Sequence, residues 1–133
     1  VHLYPYAVPT RGLRGGATWL DVGRSSADVV REQGAQSTAL LDRVARFRDP
    51  SVLAGDFNST RDFALHRSLR DHLTDAWEHG GFGFGSTVDL LGWLPLRIDY
   101  VYATEEFEVI HSRVPAAACS DHRPVVADLV LRD

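Results

Sequence analysis

Residues 53–60, Leu53-Ala54-Gly55-Asp56-Phe57-Asn58-Ser59-Thr60, decide the fold, because a short apolar run ends there in a glycine and a group of polar residues. The run from Ser51 to Ala54 is too short for a helix and suits a buried strand stopped by Gly55. Asp56 is therefore predicted to lie just past a strand end. An Asp with an Asn two residues later can orient water while the amide donates to an oxyanion. Local composition alone favours a plain turn, since these residue types are the preferred turn formers.

Helical periodicity on both sides of this stretch predicts two helices. From about Ala27 to Phe47 the apolar residues recur near helical spacing, and Asp49-Pro50 ends the pattern. A second helix is predicted from Phe63 to Leu73, with Asp62 serving its N-terminus. The segment Gly80 to Gly85, GGFGFG, lacks the lysine of a P-loop and is predicted to be a flexible turn.

Three late runs rich in β-branched or aromatic residues are predicted strands: Ile98 to Ala103, Phe107 to Val114, and Pro124 to Leu131. We interpret them as the antiparallel end of a mixed sheet. No internal repeat and no long linker divides the chain, so residues 1–133 are interpreted as a single α/β unit.

Composition and charge exclude several classes of protein. A chain with 44% hydrophobic and 24% charged residues is typical of globular proteins, and its longest apolar run, Leu90 to Leu96, is far too short to cross a bilayer. The net charge of -4 disfavours broad attachment to duplex DNA. All fourteen basic residues are Arg, which excludes Schiff-base chemistry and a Walker-type lysine. The single Cys119 excludes an intrachain disulfide and a Cys-rich zinc site.

Three further polar positions are candidates for chemistry. Ser120-Asp121-His122 sets a carboxylate beside an imidazole, so metal binding and proton transfer are both available, with a solvated turn as the alternative. Asp99 lies in an otherwise apolar run, where it needs a partner or a function unless it faces solvent at a sheet edge. His2 is flanked by apolar residues, an environment typical of a satisfied core histidine.

Two other features are predicted to be structural. The apolar loop Val88 to Leu96 could meet a lipid, but core packing is the preferred interpretation because exposed apolar patches are uncommon. The four remaining histidines show no metal-ligand spacing and are predicted surface residues: His66, His72, His79 and His111.

Four segments, taken in chain order, resemble the endonuclease/exonuclease/phosphatase superfamily: VHLYP from Val1, LAGDFNST from Leu53, RIDYVYA from Arg97 and CSDHRPVVADL from Cys119. The resemblance implies a deoxyribonuclease I-like sandwich of two sheets with flanking helices. These residues match its C-terminal half, which implies one mixed, largely antiparallel sheet flanked by helices. We therefore expect an apolar sheet face to be covered by dimerisation, by strand exchange or by an unseen N-terminal half.

The resemblance also implies a role for each residue that follows the family motifs. Asp56 matches the carboxylate that orients or deprotonates the attacking water and contacts the metal, and Asn58 matches the amide that binds a phosphate oxygen. Asp121 matches a metal-linked carboxylate. His122 matches the imidazole that contacts the scissile phosphate and moves protons. His2 matches a second catalytic histidine.

Asp99 matches the carboxylate that supports His2 in the family. The implied function is a phosphoesterase that uses Mg²⁺, with Mn²⁺ as an alternative, for in-line attack of water on phosphorus. The acidic net charge and the loop Val88 to Leu96 favour a small or lipid-linked phosphate ester over duplex DNA. The other hypothesis is a non-catalytic fragment or interaction module that retains the family fold.

One family feature has no match in this sequence. The principal Mg²⁺ ligand of the family is a Glu on an early strand, upstream of the segment that resembles VHLYP. None of the five glutamates here follows that motif: Glu32, Glu78, Glu105, Glu106 and Glu108. Because Mg²⁺ needs carboxylate oxygens, we expect the chain alone to bind metal weakly and to be weakly active. Val1 in place of Met suggests an excised piece.

Overall fold

A computed structural model describes residues 2–3, 19–90, 92–116 and 119–132 of the chain. Its elements in chain order are α1 (Trp19–Val44), β1 (Val52–Asp56), α2 (Ala64–Arg70), β2 (Thr74–Asp75), α3 (Ala76–Gly80), β3 (Val88–Leu90), β4 (Leu94–Leu96), β5 (Asp99–Ala103), β6 (Phe107–Arg113) and β7 (Val126–Leu131). Most of the segment VHLYP lies outside the described residues, which retain only His2 and Leu3 of it.

The described strands form three antiparallel sheets instead of the single mixed sheet expected. The first has the order β1-β5-β2, and the other two are the pairs β3-β4 and β6-β7. One reason is that, among the described strands, β3 and β4 form a local hairpin and do not join a larger sheet. Gly92, with φ 78°, supplies the left-handed turn that brings β4 back alongside β3. Within the described part of the chain, the one parallel contact is an isolated bridge between His2 and Asp56. The chain is therefore α/β, with antiparallel pairing throughout its named strands.

The strand before the polar stretch runs further than the sequence indicated. β1 continues through Gly55 to Asp56, so Asp56 is the last strand residue. Gly55 does not stop the strand because it adopts a φ of 149°, a value that residues with a side chain rarely adopt, and both residues keep their register with β5.

Both helices differ in length from the predictions. α1 begins before Ala27 and ends before Phe47, and α2 is shorter than the predicted range from Phe63 to Leu73. The N-cap residue of α2 is Phe63, without a side-chain cap hydrogen bond, so the prediction that Asp62 serves this N-terminus is wrong. No helix in the described ranges combines the length and the apolar character needed to cross a membrane.

The core lies between the helices and the sheet β1-β5-β2. Its buried residues come from both sides of that contact: Leu3, Val44, Leu53, Phe57, Leu65, Leu69, Leu73, Tyr100 and Tyr102. Side chains alternate across a strand, so Tyr100 and Tyr102 face the core while Asp99 projects from the opposite face of β5. This alternation leaves a carboxylate available at the end of the sheet.

His66 is fully buried, so the prediction that it is a surface residue is wrong. Its ring packs among aromatic rings, with its centroid 4.2 Å from that of Tyr100 and 5.4 Å from that of Phe57. Burial is possible because both ring nitrogens have hydrogen-bond partners, Ser59 and Tyr102. The other three histidines of that group, His72, His79 and His111, are exposed as predicted.

Protonation of His66 is expected to make the free energy of unfolding depend on pH. Burial is the main cause that lowers its pKa from 6.5 to about 4, so the unfolded chain binds more protons between these values. The stabilisation is complete above pH 6.5 and is lost as the pH falls toward 4, by about 3 kcal/mol at ~1.4 kcal/mol per pKa unit. Urea unfolding of the wild type and of His66→Phe across this range measures the effect. Equal pH dependence of the two proteins would contradict it.

Candidate functional site

One end of the pair β1-β5 brings three of the predicted site residues into a row. Asp56, at the end of β1, is the register partner of Asp99, at the start of β5, and His2 bridges Asp56 from the other side. Cross-strand partners project to the same face of a sheet, so the two carboxylates are neighbours. The backbone N–H of Leu3 donates to the Asp56 carbonyl at 2.9 Å, which ties the His2 segment to β1.

His122 reaches this row from the loop before β7. Its Nδ1 lies 2.9 Å from Asp99 Oδ2. An ionised carboxylate only accepts hydrogen bonds, so in neutral His122 the proton is on Nδ1 and the Nε2 lone pair is available. The His122 backbone N–H donates to Ser120 Oγ at 3.1 Å, and a bridge to Val88 holds the segment from the other side. The imidazole is thus held in one orientation.

The partners of the two histidines differ from those that the family resemblance implied. Asp99 contacts His122 and not His2, whose Nδ1 instead lies 3.7 Å from Asp56 Oδ2. The reason is the strand order, because β1 lies between the His2 segment and β5. His2 therefore meets Asp56 first.

Asn58 is held by the turn that follows β1. Its backbone N–H donates to Asp56 Oδ1 at 2.8 Å, and its side-chain amide donates to the Leu3 carbonyl at 2.7 Å. The backbone of Asn58 has φ 49°, in the left-handed region that Asn tolerates better than most residues. The stretch is therefore a turn, as local composition favoured, and the same turn orients the amide. That amide has a second N–H that can serve a ligand.

Asp56, Asp99 and His122 form a candidate metal site within the described residues, since each offers a ligand atom and these atoms lie within 4.8 Å of one another. Asp121, the other residue expected to contact a metal, is exposed and lies outside this group. Sequence reasoning did not assign Asp99 as a ligand, although a carboxylate in an apolar strand was a signal for it. Two neighbouring carboxylates fit a hard cation such as Mg²⁺ or Mn²⁺, which prefers oxygen ligands.

A cleft of about 450 Å³ opens beside Asp99 and His122, with Cys119, Arg123 and Val125 among its other lining residues. A second cleft, of about 630 Å³, is lined by both polar and aromatic residues, including Arg61, Trp77, Glu78, Phe84 and Ser86. The three candidate ligands do not line the larger cleft. The Arg123 side chain connects the two, because its guanidinium donates to Ser86 Oγ at 3.1 Å.

The hairpin β3-β4 is fixed to the site at its base and exposed at its tip. The Arg123 backbone N–H donates to the Thr87 carbonyl at 2.7 Å, and Thr87 Oγ accepts from the Asp99 backbone N–H at 3.3 Å. At the tip, Leu90 and Trp93 are exposed, Trp93 by 72%. The prediction that Val88 to Leu96 packs in the core is therefore wrong for the tip. The adjacent wall of the larger cleft also carries Phe84, which is 93% exposed.

Comparison with known proteins finds one matching family model and several similar solved structures. A family model described as "Endonuclease/Exonuclease/phosphatase family" matches residues 3–122. An endonuclease/exonuclease/phosphatase structure from Beutenbergia cavernae is 29% identical with a TM-score of 0.68, and the match covers 98% of this chain and 34% of that one. One from Bacteroides vulgatus is 22% identical with a TM-score of 0.64, covering 77% and 45%. No curated protein matches the sequence significantly.

A third solved structure, a Bacteroides thetaiotaomicron mannosyl-6-phosphatase, is 20% identical with a TM-score of 0.55 and covers 75% of this chain and 45% of its own. The identity of this structure and of the Bacteroides vulgatus one is low enough that they show a shared fold alone. In all three comparisons the chain spans less than half the length of the protein it matches.

Proposed function

The chain belongs to the endonuclease/exonuclease/phosphatase family, and on that premise we propose that it takes part in metal-dependent hydrolysis of a phosphate ester. The observation that carries this proposal is the Asp99–His122 hydrogen bond beside the Asp56 carboxylate. A half-buried strand end that places two carboxylates and an oriented imidazole together supplies a base, a proton-transfer group and oxygen ligands in one place.

In the proposed reaction each site residue contacts water or phosphate through an atom that still has hydrogen-bonding capacity. The Asp56 carboxylate orients the attacking water and accepts its proton. His122 Nε2 lies opposite the nitrogen bonded to Asp99, so the protonated ring can donate to a phosphoryl oxygen and assist the leaving oxygen. The second amide N–H of Asn58 donates to another phosphoryl oxygen. His2, against Asp56, adds positive charge when protonated.

Asp56 and Asp99 would hold the metal in this proposal, because the Nδ1 of His122 is already bonded to Asp99. Mg²⁺ is commonly bound through one or two carboxylates together with substrate phosphate oxygens, and Mn²⁺ accepts the same ligands. When bound, the ion offsets negative charge that develops on the phosphoryl oxygens.

We further propose that the site is completed outside this chain. The chain covers 34% of the Beutenbergia cavernae structure and 45% of the Bacteroides vulgatus structure, which supports its being part of a longer domain, and the order of its motifs supports the C-terminal half. A further carboxylate for the metal then comes from an N-terminal half, or from a second copy of the chain. The three separate sheets of this chain join a two-sheet sandwich in that complete form.

For the substrate we propose a small or lipid-linked phosphate ester instead of duplex DNA. The net charge of -4 weakens attraction to a polyphosphate backbone. One solved relative is named a mannosyl-6-phosphatase, which supports a small phosphate monoester. The exposed ring of Phe84 in the larger cleft, and that of Trp93 at the tip of the hairpin β3-β4, support a substrate with an apolar portion.

Hydrolysis of p-nitrophenyl phosphate and of bis(p-nitrophenyl) phosphate tests the proposal. The 133-residue chain and a version extended upstream by the proposed N-terminal half are compared with Mg²⁺, with Mn²⁺ and with EDTA. We expect metal-dependent hydrolysis that is weak or absent in the short chain and strong in the extended one. No hydrolysis by either protein, with both folded, would instead support the non-catalytic interaction module.

A further inference from the structure

A chain of buried hydrogen bonds links β5, α2 and the turn that carries Asn58. His66 Nδ1 lies 2.8 Å from the Tyr102 hydroxyl, and His66 Nε2 lies 2.9 Å from Ser59 Oγ. Ser59 Oγ in turn donates to the Phe57 carbonyl at 3.1 Å. His66 and Tyr102 are fully buried and Ser59 nearly so, which means that water cannot substitute for these bonds.

The carbonyl acceptors at one end of this series of hydrogen bonds determine which atom donates in each of them. The Phe57 carbonyl can only accept, so the Ser59 hydroxyl uses its proton there and must accept from His66. The Ser59 carbonyl, 3.2 Å from His66 Nε2, can also only accept. Nε2 therefore carries the proton, and Nδ1 accepts from the Tyr102 hydroxyl. Burial lowers the pKa of His66 to about 4, so the ring stays neutral near neutral pH, as this arrangement requires.

The series of hydrogen bonds ends on both neighbours of Asn58. Phe57 and Ser59 flank Asn58, which adopts φ 49° and would otherwise have several accessible backbone conformations. The Tyr100 hydroxyl lies 3.2 Å from the Ser59 carbonyl, and the Phe57 backbone N–H donates to Ile98. The backbone before and after Asn58 is thus anchored to Ile98 and to Tyr100 of β5.

We propose that His66 is a positioning residue, which fixes the turn so that the Asn58 amide faces the bound phosphate. The imidazole never touches the substrate, since it lies on the core side of the sheet, and it acts through Ser59. Its role in catalysis rests on the proposed function, in which Asn58 binds a phosphoryl oxygen. Its role in the conformation of Asn58 does not rest on that function.

The variant His66→Phe tests the proposal because it keeps an aromatic ring in the core and removes the hydrogen bonds of both ring nitrogens. His66→Gln is the conservative partner, since its side-chain amide can still donate to Ser59. Tyr102→Phe is the milder alternative if His66→Phe does not fold. Leu69→Ala is the matched control, because Leu69 is fully buried on the same helix and takes no part in the hydrogen-bond chain.

The first measurement is the ¹H–¹⁵N NMR spectrum of the Asn58 backbone and side-chain amides, which requires no activity. We expect these signals to shift in His66→Phe and Tyr102→Phe, to return toward the wild type in His66→Gln, and to stay in place in Leu69→Ala. Unchanged Asn58 signals in both the Phe variants would overturn the proposal, as would an equal shift in Leu69→Ala.

The second measurement is kcat/KM of the upstream-extended protein. We expect His66→Phe to lower kcat/KM about tenfold when Asn58 is present, and to change it by less than about twofold in the Asn58→Ala background. Equal losses in both backgrounds would overturn the link through Asn58. If the NMR shifts occur but even the wild type hydrolyses nothing, the conformational role of His66 stands and the proposed function fails.

Discussion

Replacing His122 by alanine is expected to lower turnover on a phosphate ester by roughly 10²- to 10⁴-fold, the range that general acid–base groups contribute. The reason is geometric, because the Asp99 hydrogen bond at 2.9 Å holds the imidazole with Nε2 free for proton transfer. Steady-state kinetics of the upstream-extended protein with saturating Mg²⁺ measures the loss. Asp56→Ala is expected to give a loss in the same range, since it removes both the base and a metal ligand.

The chain contains a matched control for this experiment. His111 and Asp128 form a second His–Asp pair, with Nδ1 and Oδ2 3.8 Å apart, on the exposed surface of β6 and β7. His111→Ala is expected to leave turnover unchanged. The free energy of unfolding should change little in either variant, because neither imidazole is in the buried core. Unchanged turnover in His122→Ala would remove the proposed site and favour the interaction-module hypothesis.

The sequence predicted most of the longer elements and several of the residues that the structure brings together at the end of β1 and β5, but not how these residues pair. Asp56 was predictable because a short apolar run ends beside it, and Asp99 because a carboxylate in an apolar strand needs a partner. The partner of Asp99 depends on which strand lies next to β5. That order is set by contacts between residues distant in sequence, which local patterns do not record.

The errors at His66 and at the hairpin tip have a similar cause. His66 is itself polar and is followed by Arg67, and the local sequence does not record that its face of α2 meets Tyr100 and Tyr102. The apolar residues of Val88 to Leu96 suggested a core segment, but β3 and β4 pair only with each other among the named strands. A two-stranded hairpin has too few neighbours to bury both its faces, so Trp93 at its tip stays exposed.

The largest loss of stability is expected from Asp75→Ala, at about 3–5 kcal/mol, because the substitution leaves a buried charge without its partner. Asp75 accepts two hydrogen bonds from the Arg97 guanidinium, at 2.9 and 2.8 Å, and one from the backbone N–H of Trp77 at the start of α3. The Asp75 side chain has no exposed surface, and that of Arg97 is 8% exposed. Burial acts to lower the pKa of Arg97, but the hydrogen bonds and charge of Asp75 raise it above its ordinary value.

Urea unfolding at neutral pH measures this loss, with Asp28→Ala as the control. Asp28 pairs with Arg31 on the exposed face of α1, and surface pairs of this kind contribute about 0–1 kcal/mol. Glu78 lies 3.8 Å from the Arg97 guanidinium and can take over part of the partner's role, which places the expected loss near the lower end of the range. A loss no greater than that of Asp28→Ala would contradict the prediction.

The Asp75 and His122 variants together separate stability from chemistry. Arg97 precedes Asp99 by two residues, and the Arg97 carbonyl accepts from the Tyr100 hydroxyl at 2.9 Å, so the ion pair supports the start of β5 from the core side. Asp75→Ala should therefore lower the unfolding free energy while each folded molecule keeps most of its turnover. His122→Ala should lower turnover and leave the free energy of unfolding almost unchanged. If Asp75→Ala abolished turnover in fully folded protein, the ion pair would itself determine the position of Asp99, and the stability of β5 and the geometry of the site would be a single property.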